Sequence, residues 1–325
     1  MIITRTPFRV SLCGGGSDLP NFYEKHGGCV ISTTINKYMY ITIHPSFQEN
    51  TTVLKYSKTE TVENIEKIEH PIFKKCLQDL NVKGVEITSI ADIPQGTGLG
   101  SSSSFTVGLI NALNCYKRNF VSKEEIANEA CEVEIKKLGN MIGKQDQYAA
   151  AYGGLNYYQF NKDGTVYVEP VLMNKEAFHK LEENLIMLYV GGVHSASSIL
   201  KEQSKNISKA GNKEENLKKM CELTKKLKKE LELGNVDALG EILHESWMLK
   251  KTLASGISNP DIDRWYEIAR KNGAIGGKLL GAGGGGFLLF YVPKENKEKV
   301  IKSLSELKEL DFKFDHQGTI PVFVG

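Results

Sequence analysis

No stretch of this sequence approaches the roughly 18 consecutive apolar residues of a membrane-spanning helix, so no membrane association is expected. The six cysteines, Cys13, Cys29, Cys76, Cys115, Cys131 and Cys221, are widely scattered. None forms the close pairs that zinc ribbons and redox motifs need, and they read as reduced, mostly buried thiols. Excess charge of one sign is also lacking: 41 Lys and Arg stand against 39 Asp and Glu, a formal net charge of +2. That balance argues against a nucleic-acid partner, while local clusters remain free to bind a single phosphate group. The histidines show no metal-ligand spacing such as HExxH. The opening residues, MIITRTPFRVSLCGGG, enter strand-like alternation directly, without a basic leader, apolar signal core or small-residue cleavage site. A cytoplasmic protein is the expectation.

What is present points to a two-domain α+β protein. The 325 residues exceed the usual single core of about 100 to 200. Apolar residues at 41% and charged residues at 25% are near the globular average. IITRTPFRVSL, YMYITIHPSF, TTVLKYS and GVEITSI read as strands. Pro and Gly break the pattern at ADIPQGTGLGSSSS, and FTVGLINALNCYKRN follows as a buried helix. Ser122 and Glu125 form a capping-box pattern opening the helical EEIANEACEVEIKKL, which ends at Gly139, and another helix starts near Lys144. GLNYYQF, TVYVEPV and NLIMLYV return to strand character. Leu217, Met220, Thr224, Leu227 and Leu231 then fall at three- and four-residue steps among lysines and glutamates, the pattern of an amphipathic helix with a solvated face. Two domains are expected, at residues 1–185 and 186–325.

The segment from Pro94 to Ser104, PQGTGLGSSSS, carries the strongest chemical signal. Glycines let backbone approach a ligand closely, and unpaired amides of the loop and first helical turn favour an anion. Serine hydroxyls add donors or a magnesium ligand. A loop that merely turns a strand into a helix is the competing reading. No Lys-Ser or Lys-Thr pair follows, so the loop is not a Walker A motif, and Ser101 replaces the last glycine of the dinucleotide pattern GxGxxG.

PQGTGLGSSSS resembles the PxxxGLGSSA signature of the GHMP kinases, the family of galactokinase, homoserine kinase and mevalonate kinase, with Ser104 where alanine is commoner. Two further segments are similar in the same order, TPFRVSLCGGGSD near the N-terminus and KLLGAGGGGF near the C-terminus. The resemblance implies a two-domain GHMP kinase fold: an N-terminal α+β domain like a ribosomal protein domain and a ferredoxin-like C-terminal domain, with the active site between them. It further implies ATP and Mg2+ as cofactors. Pro94, Gly96, Gly98, Leu99, Gly100, Ser101, Ser102 and Ser103 would bind the nucleotide phosphates, and Ser102 with Glu134 the metal. Glu132 is the competing metal ligand. Asp146 in GKQDQYAAAYGG is similar to the aspartate that family sugar kinases place beside the acceptor hydroxyl, as base or orienting group. Arg9 resembles the arginine that steadies this carboxylate and the transferring phosphoryl group.

Gly15, Gly16, Ser17 and Asp18 match the region where galactokinase-like relatives carry GEHTD and hold sugar hydroxyls. The missing Glu-His pair argues against galactose and resembles the GGGSD or GGWSD variant of heptose-phosphate kinases and fucokinase-type enzymes. Gly283 and Gly284 are similar to the third motif, which brings the C-terminal domain against the phosphate loop and substrate. Lys278 is a candidate for an anionic substrate phosphate, and His194 is a further position of interest. The expected partner is a small-molecule sugar phosphate. The expected reaction is ATP-dependent phosphorylation of the anomeric hydroxyl of D-glycero-D-manno-heptose 7-phosphate, in nucleotide-activated heptose synthesis for surface polysaccharide. The alternatives are a GHMP kinase for another sugar such as fucose, or an inactive sugar-sensing regulator.

Overall fold

The computed structural model describes the chain except for residues 49, 193–195 and 209–211. Its first sheet is built on two long strands, β1 (Ile2–Cys13) and β2 (Gly28–Pro45). They pair antiparallel from Ile2 opposite Ile43 to Cys13 opposite Ile31. Strands β3 (Thr52–Lys55), β4 (Thr59–Val62) and β5 (Val85–Ala91) extend the sheet beyond β2, and β6 (Asn156–Phe160) and β7 (Val166–Pro170) form a hairpin on its other end. Side chains alternate along a strand. Phe8, Val10 and Leu12 therefore fill the core, where all three are fully buried, while Arg9 and Ser11 point the other way.

Helices α1 (Pro20–His26), α2 (Pro71–Asp79), α3 (Ser101–Tyr116), α4 (Lys123–Cys131), α5 (Gln145–Tyr152) and α6 (Lys175–Glu183) complete this half. Helix α3 is buried along nearly its whole length and packs on β1 and β2. The capping box at Ser122 and Glu125 forms as the sequence indicates. The helix it opens is not uniform, however. After Cys131 the chain widens into a π-helical turn over 132–137, with the Leu138 N–H reaching the Val133 carbonyl. Such turns rotate the residues they contain relative to a continuous α-helix. Here Glu134 is fully buried, whereas Glu132 stays at the surface in a 2.8 Å ion pair with Lys136.

The second sheet begins at β8 (Leu185–Gly191) and adds β9 (Gly276–Leu279), β10 (Gly286–Tyr291) and β11 (Lys308–Glu309). Its spatial order is β11-β8-β10-β9, the 4-1-3-2 arrangement of a ferredoxin-like βαββαβ unit. Helices α7 (Ala196–Ser208), α8 (Asn212–Glu232), α9 (Ala238–Lys251) and α10 (Pro260–Lys271) lie between its first two strands in the chain, and α11 (Lys297–Ser303) between its last two. Leu217, Met220, Thr224, Leu227 and Leu231 of α8 are all buried, so the stripe packs inward. The chain then returns to the first sheet. Strand β12 (Phe314–Asp315) pairs with β2, and β13 (Ile320–Val324) pairs with β1. Near this return Thr319 meets the Thr6 hydroxyl at 2.8 Å and accepts from Asn111 at 3.0 Å. The mixed helix and sheet architecture is the α+β class expected.

Candidate active site

A cavity of about 240 Å3 lies where the two sheets' loops meet, lined from both halves of the chain. Its first wall is the glycine and serine loop. The first intrahelical bond of α3 runs from the Ser104 N–H to the Gly100 carbonyl. The amides of Ser101, Ser102 and Ser103 are therefore the donors that a helix start leaves unpaired. Gly96, Gly98, Gly100 and these three serines line the cavity. Ser104 does not; its hydroxyl donates to the Pro7 carbonyl at 2.9 Å, which accounts for a buried serine at a position where alanine is commoner.

Glu134 stands behind this loop. One carboxylate oxygen accepts from the Ser102 hydroxyl and the other from the Ser103 hydroxyl and the Gln147 amide, each at 2.8 Å. Burial raises its pKa, with the three hydrogen bonds opposing. Glu132 is too far out on its surface ion pair to serve here. The donor set of Glu134 and Ser102 is all oxygen, faces the cavity and suits a hard divalent cation shared with phosphate oxygens. Among the described residues no cluster of three metal-ligating side chains exists, so substrate or water oxygens would complete such a site.

Arg9 and Asp146 meet at the centre. The guanidinium Nε and Nη2 donate to the two Asp146 carboxylate oxygens, both at 2.8 Å, and Nη1 donates to the Gly98 carbonyl at 2.6 Å. This bidentate geometry fixes both planes. Asp146 lies in the first turn of α5 but does not cap it; Lys144 is the N-cap residue. The far wall is the turn after β1. The Asp18 carboxylate accepts from the Gly16 N–H at 2.9 Å and the Gln145 N–H at 3.3 Å. Burial, and then the Asp146 charge, raise its pKa against these hydrogen bonds.

The third glycine segment reaches the glycine and serine loop through Gly281. A Cβ on Gly281 would lie 2.5 Å from the Gly98 Cα, and one on Gly98 would lie 2.5 Å from the Leu280 carbonyl oxygen. Only two glycines allow this backbone contact. Gly283 and Gly284 pack against Ile257 instead. A Cβ on Gly283 would collide with that residue, and the Gly284 N–H donates to its carbonyl at 3.2 Å. Neither lines the cavity, nor do Pro94, Leu99 and Ser17. The Pro94 carbonyl accepts from the Thr97 hydroxyl, and the Leu99 carbonyl from the Arg9 N–H, so both shape the loop through backbone. The Ser17 hydroxyl bonds to Gly14 and Cys29 and closes its own turn. Gly15, Gly16, Asp18 and Lys278 do line the cavity. His194 lies outside the described residues.

Sequence reading missed several lining residues. Ser11, Gln145 and Gln203 each place a buried polar atom without a hydrogen-bond partner among the described residues in the cavity wall: Ser11 Oγ, Gln145 Oε1 and Gln203 Nε2. Ser11 was findable, because it is two residues from Arg9 on the same strand face. Gln203 on α7 and Lys250 on α9 carried no local signal; their positions are set by how the helices of the second half close over the first. Lys250 is buried and donates to the Gly281 carbonyl at 2.6 Å. Burial, then the Lys278 and Arg9 charges, lower its pKa well below the usual lysine value. Burial likewise pushes Lys278 down to about 8.

Comparison with known proteins gives the family. The GHMP kinases N terminal domain matches residues 59–154, and the GHMP kinases C terminal domain matches residues 214–309. The chain is 31% identical, over 98% of its length and 97% of the relative's, to a D-glycero-alpha-D-manno-heptose 7-phosphate kinase of Campylobacter jejuni. It is 28% identical to the bifunctional fucokinase/GDP-fucose pyrophosphorylase of Arabidopsis thaliana, over 94% of this chain but 31% of that protein. The crystal structure of a D-glycero-D-manno-heptose 1-phosphate kinase from Bacteroides thetaiotaomicron superposes with a TM-score of 0.82 at 26% identity, covering 100% of both chains. With both domains matched and the phosphate loop, arginine and aspartate assembled around one cavity, the chain belongs to the GHMP kinase family and is a phosphotransferase.

Proposed function

We propose that this protein is a sugar kinase that transfers the γ-phosphoryl group of ATP to the anomeric hydroxyl of D-glycero-D-manno-heptose 7-phosphate, forming the 1,7-bisphosphate. Such a product would feed nucleotide-activated heptose synthesis for surface polysaccharide, and the use of ATP supports a cytoplasmic location. The observation that carries the reading is the Arg9–Asp146 pair. It lines one cavity with a helix N-terminus suited to phosphate and with three polar atoms that are unpaired among the described residues and suited to sugar hydroxyls. Two heptose phosphate kinases among the relatives support the substrate class.

The amides of Ser101, Ser102 and Ser103 bind the donor phosphates. Glu134 and Ser102 would hold a magnesium ion, which when bound compensates phosphate charge. Asp146 orients the sugar hydroxyl and accepts its proton as the sugar oxygen bonds to the γ-phosphorus and the bond to ADP breaks. An anomeric hydroxyl is more acidic than an ordinary alcohol, which suits a carboxylate base. Arg9 holds that carboxylate in place and adds positive charge beside the transferred group. A second cavity, lined by Tyr56, His70, Gln95 and Phe105, opens beside the loop. Gln95 precedes Gly96, which lines the main cavity, so this aromatic pocket is placed to receive the nucleotide base.

An ATP-to-ADP assay with magnesium tests the reading against D-glycero-D-manno-heptose 7-phosphate, mannose 6-phosphate, sedoheptulose 7-phosphate and fucose, with the product position read by phosphorus NMR. Selective bisphosphate formation from the heptose is expected. Turnover of an unphosphorylated sugar alone would sink the substrate assignment, and ATP binding without any turnover would favour a sensor.

A further inference from the structure

We infer that Lys250 and Lys278 together form a phosphate subsite on the acceptor side of the cavity, so that the acceptor must itself carry a phosphate group. The inference rests on the sugar kinase reading and deepens it. The two side chains come from different elements, the last turn of α9 and strand β9. Both residues are more than nine-tenths buried, and both line the cavity. Each ammonium group carries three donors, yet among the described residues each has one hydrogen-bond partner: Lys250 the Gly281 carbonyl at 2.6 Å, Lys278 the Leu12 carbonyl at 3.4 Å. Neither forms an ion pair with a described residue.

The charges around them do not balance locally. Of the three carboxylates lining the cavity, Asp146 is taken by Arg9, and Glu134 is held by Ser102, Ser103 and Gln147 on the donor side. That leaves Asp18 against two lysines. A buried ammonium group without an anion is costly, and two in mutual repulsion are costlier. A phosphate dianion entering between them would relieve both, and would use the donors that no described protein group takes. The donor's phosphates have their own site in the amides of Ser101, Ser102 and Ser103. The lysines' ionisable neighbours are instead Cys13, Arg9 and Asp18, on β1 and the turn that follows it.

Calorimetry on the full chain tests this, with inorganic phosphate titrated into protein already saturated with magnesium and a non-hydrolysable ATP analogue, which fills the γ-phosphate position. Phosphate is expected to bind this form, and Lys250→Met and Lys278→Met each to weaken it by about tenfold to a hundredfold, the range for losing one hydrogen bond to a charged group. Affinity for the ATP analogue is expected to change less than about threefold, and thermal melting of ligand-free protein confirms that both variants fold. In kinetics, the variants are expected to raise KM for a phosphorylated acceptor, while the same sugar without its phosphate is turned over poorly by parent and variants alike. Phosphate affinity unchanged in both variants would overturn the inference, as would a loss of ATP-analogue affinity in place of phosphate affinity. Because inorganic phosphate is the probe, a heptose that proves not to be the substrate would leave the binding result standing.

Discussion

Asp146 and Glu134 are both carboxylates in one cavity, and their surroundings differ. Asp146 faces a fixed arginine fork and, in the proposed reaction, the sugar hydroxyl. Replacing it with Asn keeps the shape while removing the proton acceptor. Asp146→Asn is expected to lower kcat by about a hundredfold or more, the scale of general base catalysis, with ATP affinity measured by calorimetry little altered. Glu134 is buried with a raised pKa, so the folded ligand-free protein holds its proton more tightly than the unfolded chain does. Its contribution to stability is therefore lost as pH rises from the unfolded carboxyl range through the higher folded value. Glu134→Gln is expected to melt no lower than the parent at pH 8, since a Gln oxygen can still accept from Ser103 and Gln147 and its amide can donate to Ser102. The same variant is expected to lose most turnover. Lys278 carries the opposite sign. Its folded pKa of about 8 lies below the usual lysine value, so kcat/KM for a phosphorylated acceptor is expected to fall as pH rises through about 8. Cys13, Arg9, Asp18 and Lys250 are the ionisable groups facing it.

Among the elements, the phosphate loop and the KLLGAGGGG segment depend on each other. Their glycines meet backbone to backbone at Gly98 and Gly281, both with positive φ. Gly281→Ala would place a methyl 2.5 Å from the Gly98 Cα and is expected to cost about 1 to 3 kcal/mol, the scale of overpacking and backbone strain. A drop in melting temperature together with weaker ATP binding would show that the contact shapes the loop; an unchanged loop and unchanged melting would rule this out. The helix start at Ser122 and the amphipathic stripe of α8 were legible because capping and periodicity are local properties. The π-helical turn at 132–137 was not. Nothing in EVEIKK distinguishes a wide turn from an α-helical one, because what holds it is the hydrogen bonding of Glu134 to residues of two other helices.

At the scale of the whole molecule, the two halves are tied by a chain that leaves the first sheet and comes back. We propose a domain boundary at about residue 185, where β8 opens the second sheet; β12 and β13 return across it to pair with β2 and β1. A chain ending at residue 309 would keep both matched family ranges while exposing the edge of β1 and removing Thr319 from between Thr6 and Asn111. It is expected not to fold cooperatively in denaturant, whereas the full chain is; a cooperative transition in the truncated chain would contradict this. What the sequence by itself determined was the α+β class, the glycine loop with its anion-ready helix start, the three ordered segments that carry Arg9, Asp18, Ser102 and Lys278, and the separate segment GKQDQYAAAYGG that carries Asp146. Each depends on residues close together along the chain, where turn chemistry, capping and alternation act. The tertiary structure alone decided which carboxylate turns inward, that Gly98 and Gly281 touch, and that Gln203 and Lys250 reach the cavity from the second half. Those outcomes depend on contacts between residues far apart along the chain, and no local pattern encodes them.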